Sequence, residues 1–105
     1  MHVCKVTGFQ QFTSSALASV SYVSSALLLD AQGNKANAAF LTVGASTASC
    51  GIRFRDDGTA PSTTVGHFLP YGVYPFLYQG DLQKIAFIAS VGNPDLNITY
   101  VQVQD

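Results

Sequence analysis

The densest polar stretch of this 105-residue chain is Arg53-Phe54-Arg55-Asp56-Asp57-Gly58-Thr59-Ala60-Pro61. Two neighbouring carboxylates could contribute to a Ca²⁺ site, and two arginines could clamp a carboxylate or a phosphate. An EF-type calcium loop needs more oxygen ligands at set spacing and a closing Glu. The chain contains no Glu. The spacing instead predicts a turn in which Gly58 takes φ > 0 and an Asp side chain binds nearby backbone amides. Arg53 and Arg55, two apart, would leave one strand face and pair with Asp56, Asp57 or a partner's carboxylates.

His67 lies between Gly66 and Phe68-Leu69-Pro70. Catalysis by His needs a nucleophile or an orienting carboxylate in reach, and no Gly-x-Ser-x-Gly elbow accompanies the many serines. His2, His67, Cys4 and Cys50 have no recognised metal-ligand spacing. No catalytic, metal or cofactor residue is therefore assigned, and His67 is expected at an interface or the edge of the core. Cys4 and Cys50, the only cysteines, read as small apolar side chains, with a bridge left open. Tyr71, Tyr74, Phe76 and Tyr78, with Phe68, form the main aromatic concentration. Tyr74, Phe76 and Tyr78 would share one strand face, as a packing stripe, a sugar-stacking platform or a protein interface. Asn97-Ile98-Thr99 is a formal glycosylation sequon that carries no weight without a secretory signal.

The elements that must hold these residues read as strands. Turn signals recur at Gly8, Gln32-Gly33-Asn34, Gly44, Asp56-Asp57-Gly58, Gly66, Pro70-Tyr71-Gly72, Gln79-Gly80-Asp81 and Gly92-Asn93-Pro94. The apolar segments between them have strand length. The expected strands are 3–7, 16–22, 25–30, 37–43, 51–55, 65–69, 73–78, 82–89 and 97–103. Residues 65–69 could also be an extended connection. Pro75 assigns 73–78 to an edge or a bulge, because proline cannot donate to a ladder. Residues 82–89 suit a central strand, with one helical turn possible at Asp81-Leu82-Gln83. No segment carries a helical stripe of useful length, and 13–18 is expected as strand or loop. About seven to nine strands in one domain (1–105) predict an all-β, two-sheet antiparallel sandwich, jelly-roll-like in form.

Composition narrows function by exclusion. Charged residues make up 10% of the chain, five Lys and Arg against six Asp, where soluble domains carry about 25%. Hydrophobicity is too high and net charge too low for disorder. Lys5, Lys35, Lys84, Arg53 and Arg55 are too few for a nucleic-acid stripe. Helical bundles draw on the Glu this chain lacks. No apolar run approaches a membrane helix, and Met1 to Lys5 lacks the charged start and apolar run of a signal peptide. The expectation is a protein made in the cytoplasm, with neutral surface suited to being covered by copies of itself or a larger assembly.

The segment from Gly51 to Gly80, GIRFRDDGTAPSTTVGHFLPYGVYPFLYQG, resembles a class of small tailed-bacteriophage proteins. Its continuation DLQKIAFIAS and the later LNITYVQV resemble theirs too. The shared pattern is an R(F/Y)RDDGTAPT-x-x-VG centre, a Leu-Pro-x-Gly step, an Asp-Leu turn and an N(V/I)TY final strand. This chain departs from it by placing Ser62 after Pro61 and by a longer Ser-rich early region. The resemblance implies a virion structural protein, identifies no catalytic residue to carry over, and makes a capsid decoration (cement) protein on the capsid exterior the leading role. The implied partners are the major capsid protein and copies of itself, as dimer or trimer, with neither nucleic acid nor membrane. Arg53, Arg55, Asp56, Asp57, His67, Tyr71, Tyr74 and Tyr78 are the expected contact residues. Residues 1–7 or 97–105 could add strands to a neighbour's sheet. The alternatives are a tail, collar or fibre-associated adaptor, and a carbohydrate-binding attachment module using Tyr74 and Tyr78.

Overall fold

The computed structural model describes residues 3–24, 28–29, 31–45, 50–72 and 76–104. Among them are eight strands: β1 (Val3–Phe12), β2 (Ser21–Tyr22), β3 (Ala38–Ala45), β4 (Gly51–Arg55), β5 (His67–Pro70), β6 (Phe76–Gln79), β7 (Ala86–Val91) and β8 (Pro94–Gln104). They form two four-stranded sheets, β1-β8-β3-β6 (sheet A) and β2-β7-β4-β5 (sheet B), with every pairing antiparallel. First pairs with last, second with seventh, third with sixth, fourth with fifth. An antiparallel ribbon of eight strands rolled up on itself gives that order, which is the jelly roll.

Register explains the core. Leu96, Ile98 and Tyr100 of β8 face inward opposite Val43, Leu41 and Ala39 of β3, and all six are buried. Tyr78 joins that row from β6, and Phe12 joins it from β1. Sheet B answers with Ile52 and Phe54 of β4, Leu69 of β5 and Phe87 of β7. This is the inward half of the period-two alternation along each strand. Tyr100 is fully buried but still satisfied, because its hydroxyl donates to Gln10 Oε1 at 2.7 Å. Burial pushes its pKa well above the ordinary tyrosine range.

Several expectations hold. Residues 51–55 are a strand with Ile52 and Phe54 inside and Arg53 and Arg55 outside. β6 lies at a sheet edge and β7 is central, while Leu82 to Lys84 form a turn closed by Lys84 N–H to Asp81 C=O.

Others are corrected. Residues 16–22 are not one strand: Ser14–Leu17 is a single helical turn, α1, and only Ser21–Tyr22 pairs. Thr13 caps the turn, accepting from Ala16 N–H at 3.4 Å, and Ser14 N–H donates to Asp95 Oδ1 at 3.0 Å. The turn seats Leu17, which is fully buried, between the sheets. β1 runs past Gly8 instead of turning there, because the extra residue is absorbed by a register shift between Val6 and Gly8. β3 likewise continues through Gly44, which pairs with Asp95. The two terminal strands pair with each other, Val3 with Gln104 through Phe12 with Leu96. β8 therefore has β1 on one side and β3 on the other and offers no free edge. Of the expected strand 25–30, residues 25–27 and 30 lie outside the described residues; Leu28 is buried and Leu29 bridges to Lys35.

Candidate interaction surfaces

β4 delivers its polar end to a corner of the sandwich, and the chain turns there through Asp56-Asp57-Gly58. Gly58 has φ +84°, as the turn requires. Asp57 Oδ1 accepts from Thr59 N–H at 3.1 Å, and its other oxygen takes the Arg55 guanidinium. The Arg55 hydrogen bond, then the Thr59 amide, lower the Asp57 pKa. The expected turn and ion pair are both present.

Arg53 behaves differently from its neighbour. Its Nε donates to Thr63 C=O (3.2 Å) and Ser90 Oγ (3.1 Å), and its Nη1 to Gly66 C=O (2.9 Å). The guanidinium also lies over the Phe68 ring, 5.3 Å from its centroid. Ser90 Oγ donates to the same Thr63 carbonyl at 2.8 Å. Arg53 thus fastens the Thr63–Gly66 segment across the outer face of sheet B, with its donors directed to carbonyls rather than carboxylates. Gly66, with φ +135°, lets that segment pass close to β4, where a Cβ would lie 3.0 Å from Phe54 O.

Asp56 reaches across the sandwich. Its Oδ2 accepts from the Tyr78 hydroxyl at 3.0 Å, tying the end of β4 in sheet B to β6 in sheet A. Burial first, and this carboxylate second, push the Tyr78 pKa up to about 12. Tyr78 is therefore a core residue with a satisfied polar tip, not a surface ring. A Cβ on residue 80 would overlap its hydroxyl, so Gly80 leaves the space the phenol occupies.

Of the remaining expected contact residues, His67 is exposed, its ring 5.3 Å from Phe54. Tyr71 is exposed and its N–H donates to Cys50 C=O at 3.0 Å. Tyr74 lies outside the described residues. Between β4, β5 and β6 a cleft of about 360 Å³ opens, walled by Phe54, Phe68, Leu69 and Phe76, with Tyr78, Asp56 and His67 completing it. A second hollow of about 340 Å³ shares Asp56 and His67 and adds Arg55, Asp57, Val65 and Gly66. The sequence cluster 53–57 is thus divided: Asp56 faces the cleft with His67, while Arg53 belongs to the outer face of sheet B. Nothing local in sequence places Asp56 beside Tyr78, because the pairing is made by the roll of the strands.

Cys50 is buried as a free thiol, its pKa raised by burial and then by Asp95. Among the described residues, no three His, Cys or Asp side chains gather in a way that could hold a metal ion. No described helix is long and apolar enough to cross a membrane.

The outer face of sheet A was not singled out in the sequence. Register aligns Phe9, Thr99, Phe40 and Leu77 in one row across all four strands. A second row runs Val6, Val101, Ala38 and Gln79, of which Val101 and Ala38 are buried, and a third Gln11, Asn97 and Thr42. None of these residues is charged. Val6 is 64% exposed, Phe9 57% and Leu77 42%. Asp95, in the row beyond, is engaged by the Ser14 amide. The signal was present as Val-x-x-Phe in β1 and Phe-Leu in β6, but which face each residue takes depends on the register shift after Val6. Among known protein families, curated proteins and solved structures, none matches this chain.

Proposed function

We propose that this chain is a virion structural protein of a tailed bacteriophage, acting as a capsid decoration (cement) protein that self-associates and bridges major capsid subunits. The observation that carries the reading is the outer face of sheet A, three rows of uncharged side chains with Val6, Phe9 and Leu77 standing exposed. The solvent side of an antiparallel sandwich is where polar residues belong. Surfaces that are covered by a partner are instead depleted of charge and enriched in aromatic side chains. The resemblance of Gly51 to Gly80 to small tailed-phage proteins supplies the setting, and the jelly roll is a fold shared by capsid proteins, lectins and cupins alike.

The mechanism is adhesive. Each copy lays its neutral face on a neighbour without desolvating a charge, and many modest contacts on one shell add through multivalency. Quantitative mass spectrometry of purified particles of the phage that carries this chain tests the role. A cement protein is present in copy numbers comparable to the major capsid protein. A count many times lower would move the chain to a tail, collar or fibre position.

A further inference from the structure

The cleft between β4, β5 and β6 has walls and a charge balance that select its ligand. Its wall is aromatic, with Phe76 39% exposed and its ring 6.1 Å from that of Phe54. Asp56 supplies the one carboxylate in the lining. Among the described residues its sole hydrogen-bond partner is the Tyr78 hydroxyl, which occupies Oδ2 and leaves Oδ1 of this exposed residue to solvent. The two cations nearest in sequence are committed elsewhere: Arg53 to the carbonyls of Thr63 and Gly66, and Arg55 to Asp57.

Among the described lining residues there is no Lys or Arg to receive an anionic ligand, and the carboxylate of Asp56 would repel one. A purely apolar group would cover Asp56 Oδ1 without replacing its water, which is costly. A planar cation satisfies both requirements, since it stacks on an aromatic face and donates in-plane to a carboxylate. The volume, about 360 Å³, lies within the range of about 300–1,000 Å³ usual for ligand sites. We propose that this cleft receives an arginine side chain of a partner protein, its guanidinium over Phe76 and hydrogen-bonded to Asp56 Oδ1.

The inference adds a second contact surface to the adhesive reading. It does not rest on where in a particle the chain sits, so particle copy number and the following titration fail independently. The ¹⁵N-labelled protein is titrated with N-acetyl-arginine methylamide, with the uncharged citrulline analogue, and with methyl hexosides. The arginine probe is expected to give saturable amide shifts at Asp56, Gly66, His67 and Phe76. The citrulline probe should bind at least about fivefold more weakly. Raising NaCl from about 0.02 to about 0.5 M should weaken the arginine probe severalfold, as screening of an exposed carboxylate requires. Asp56→Asn keeps an oxygen for Tyr78 and should abolish the preference for arginine over citrulline. Phe76→Ala, on the exposed rim of the wall, should weaken both probes with the strand spectrum unchanged. Absence of saturable shifts with the arginine probe, or equal binding of citrulline, would overturn the proposal. Saturable shifts at the same amides with a hexoside and not with arginine would give the cleft to a sugar instead.

Discussion

Arginines next to a pair of carboxylates are expected to seek them, and Arg55 does so, but Arg53 turns its donors to the Thr63 and Gly66 carbonyls. The reason is the strand itself: Arg53 projects outward opposite Phe68 and within reach of Ser90, while Asp56 and Asp57 lie beyond the end of β4. Arg53→Ala should lower stability by about 1 kcal/mol, since hydrogen bonds to a charged donor are lost from the half-buried Gly66 carbonyl and the exposed Thr63 carbonyl. Arg53→Lys should recover only part of it, because an ammonium lacks the fork that reaches both carbonyls. Urea unfolding reads this as a lower midpoint at unchanged slope. Tyr78 gives a pH prediction. Its folded pKa is raised to about 12 from the ordinary 10.0, so the fold favours the neutral phenol. That contribution is complete below pH 10 and is lost as pH rises toward 12. Stability followed by circular dichroism should decline across that window, and Tyr78→Phe should lessen the decline, leaving the part that buried Tyr100 contributes, while costing about 1 kcal/mol at neutral pH for the bond to Asp56.

Among the elements, those with strict alternation were legible in the sequence. Gly51–Arg55 is a strand with the faces the pattern required. Of the segment 73–78 expected at an edge, the described part, β6 from Phe76, is an edge strand, while residues 73–75 with Pro75 lie outside the described residues. What escaped was non-local or too short to leave a period. α1 is four residues long and is held by the Thr13 cap, by Asp95 and by burial of Leu17. Gly8 looked like a turn because its bulge becomes visible only once β8 lies alongside. The corner at 53–57 was legible as a turn with an ion pair, whereas the Asp56–Tyr78 bond depends on two sheets meeting. The neutral face of sheet A has the same origin, and it carries its own prediction. Phe9→Lys and Leu77→Lys each place a charge at a solvent-exposed strand position without touching the core. Either variant should keep its strand spectrum and shift the protein toward monomer, by light scattering after size exclusion, relative to an associating wild type. A monomeric wild type at the same concentration would remove this face as a self-association surface.

At the scale of the whole molecule, the roll brings distant parts of the chain together, and the longest-range pairing joins its two ends. Val3 sits opposite Gln104 at the end of a ladder that runs to Phe12 and Leu96. β8 is the strand on which sheet A depends, because it alone connects β1 to β3. Closing such non-local pairs is entropically costly before any contact compensates for it, which slows folding relative to a helical protein of equal size. The same geometry makes the order of the strands in the chain replaceable. A short Gly-Ser linker joining residue 105 to residue 1 would turn β8 and β1 into a hairpin already in register. The chain can then be opened between Gly58 and Thr59, in an exposed turn, where new ends are best tolerated. That cut separates Asp57 from the Thr59 amide but leaves the Arg55 pair within one segment. The permutant should refold faster than the parent, since the end-to-end pairing becomes local, with a midpoint lowered only modestly by the lost turn. Stopped-flow refolding from urea checks both. A refolding rate unchanged by permutation would mean that β1–β8 pairing is not yet formed in the rate-limiting transition state, and that β1 docks onto sheet A after it.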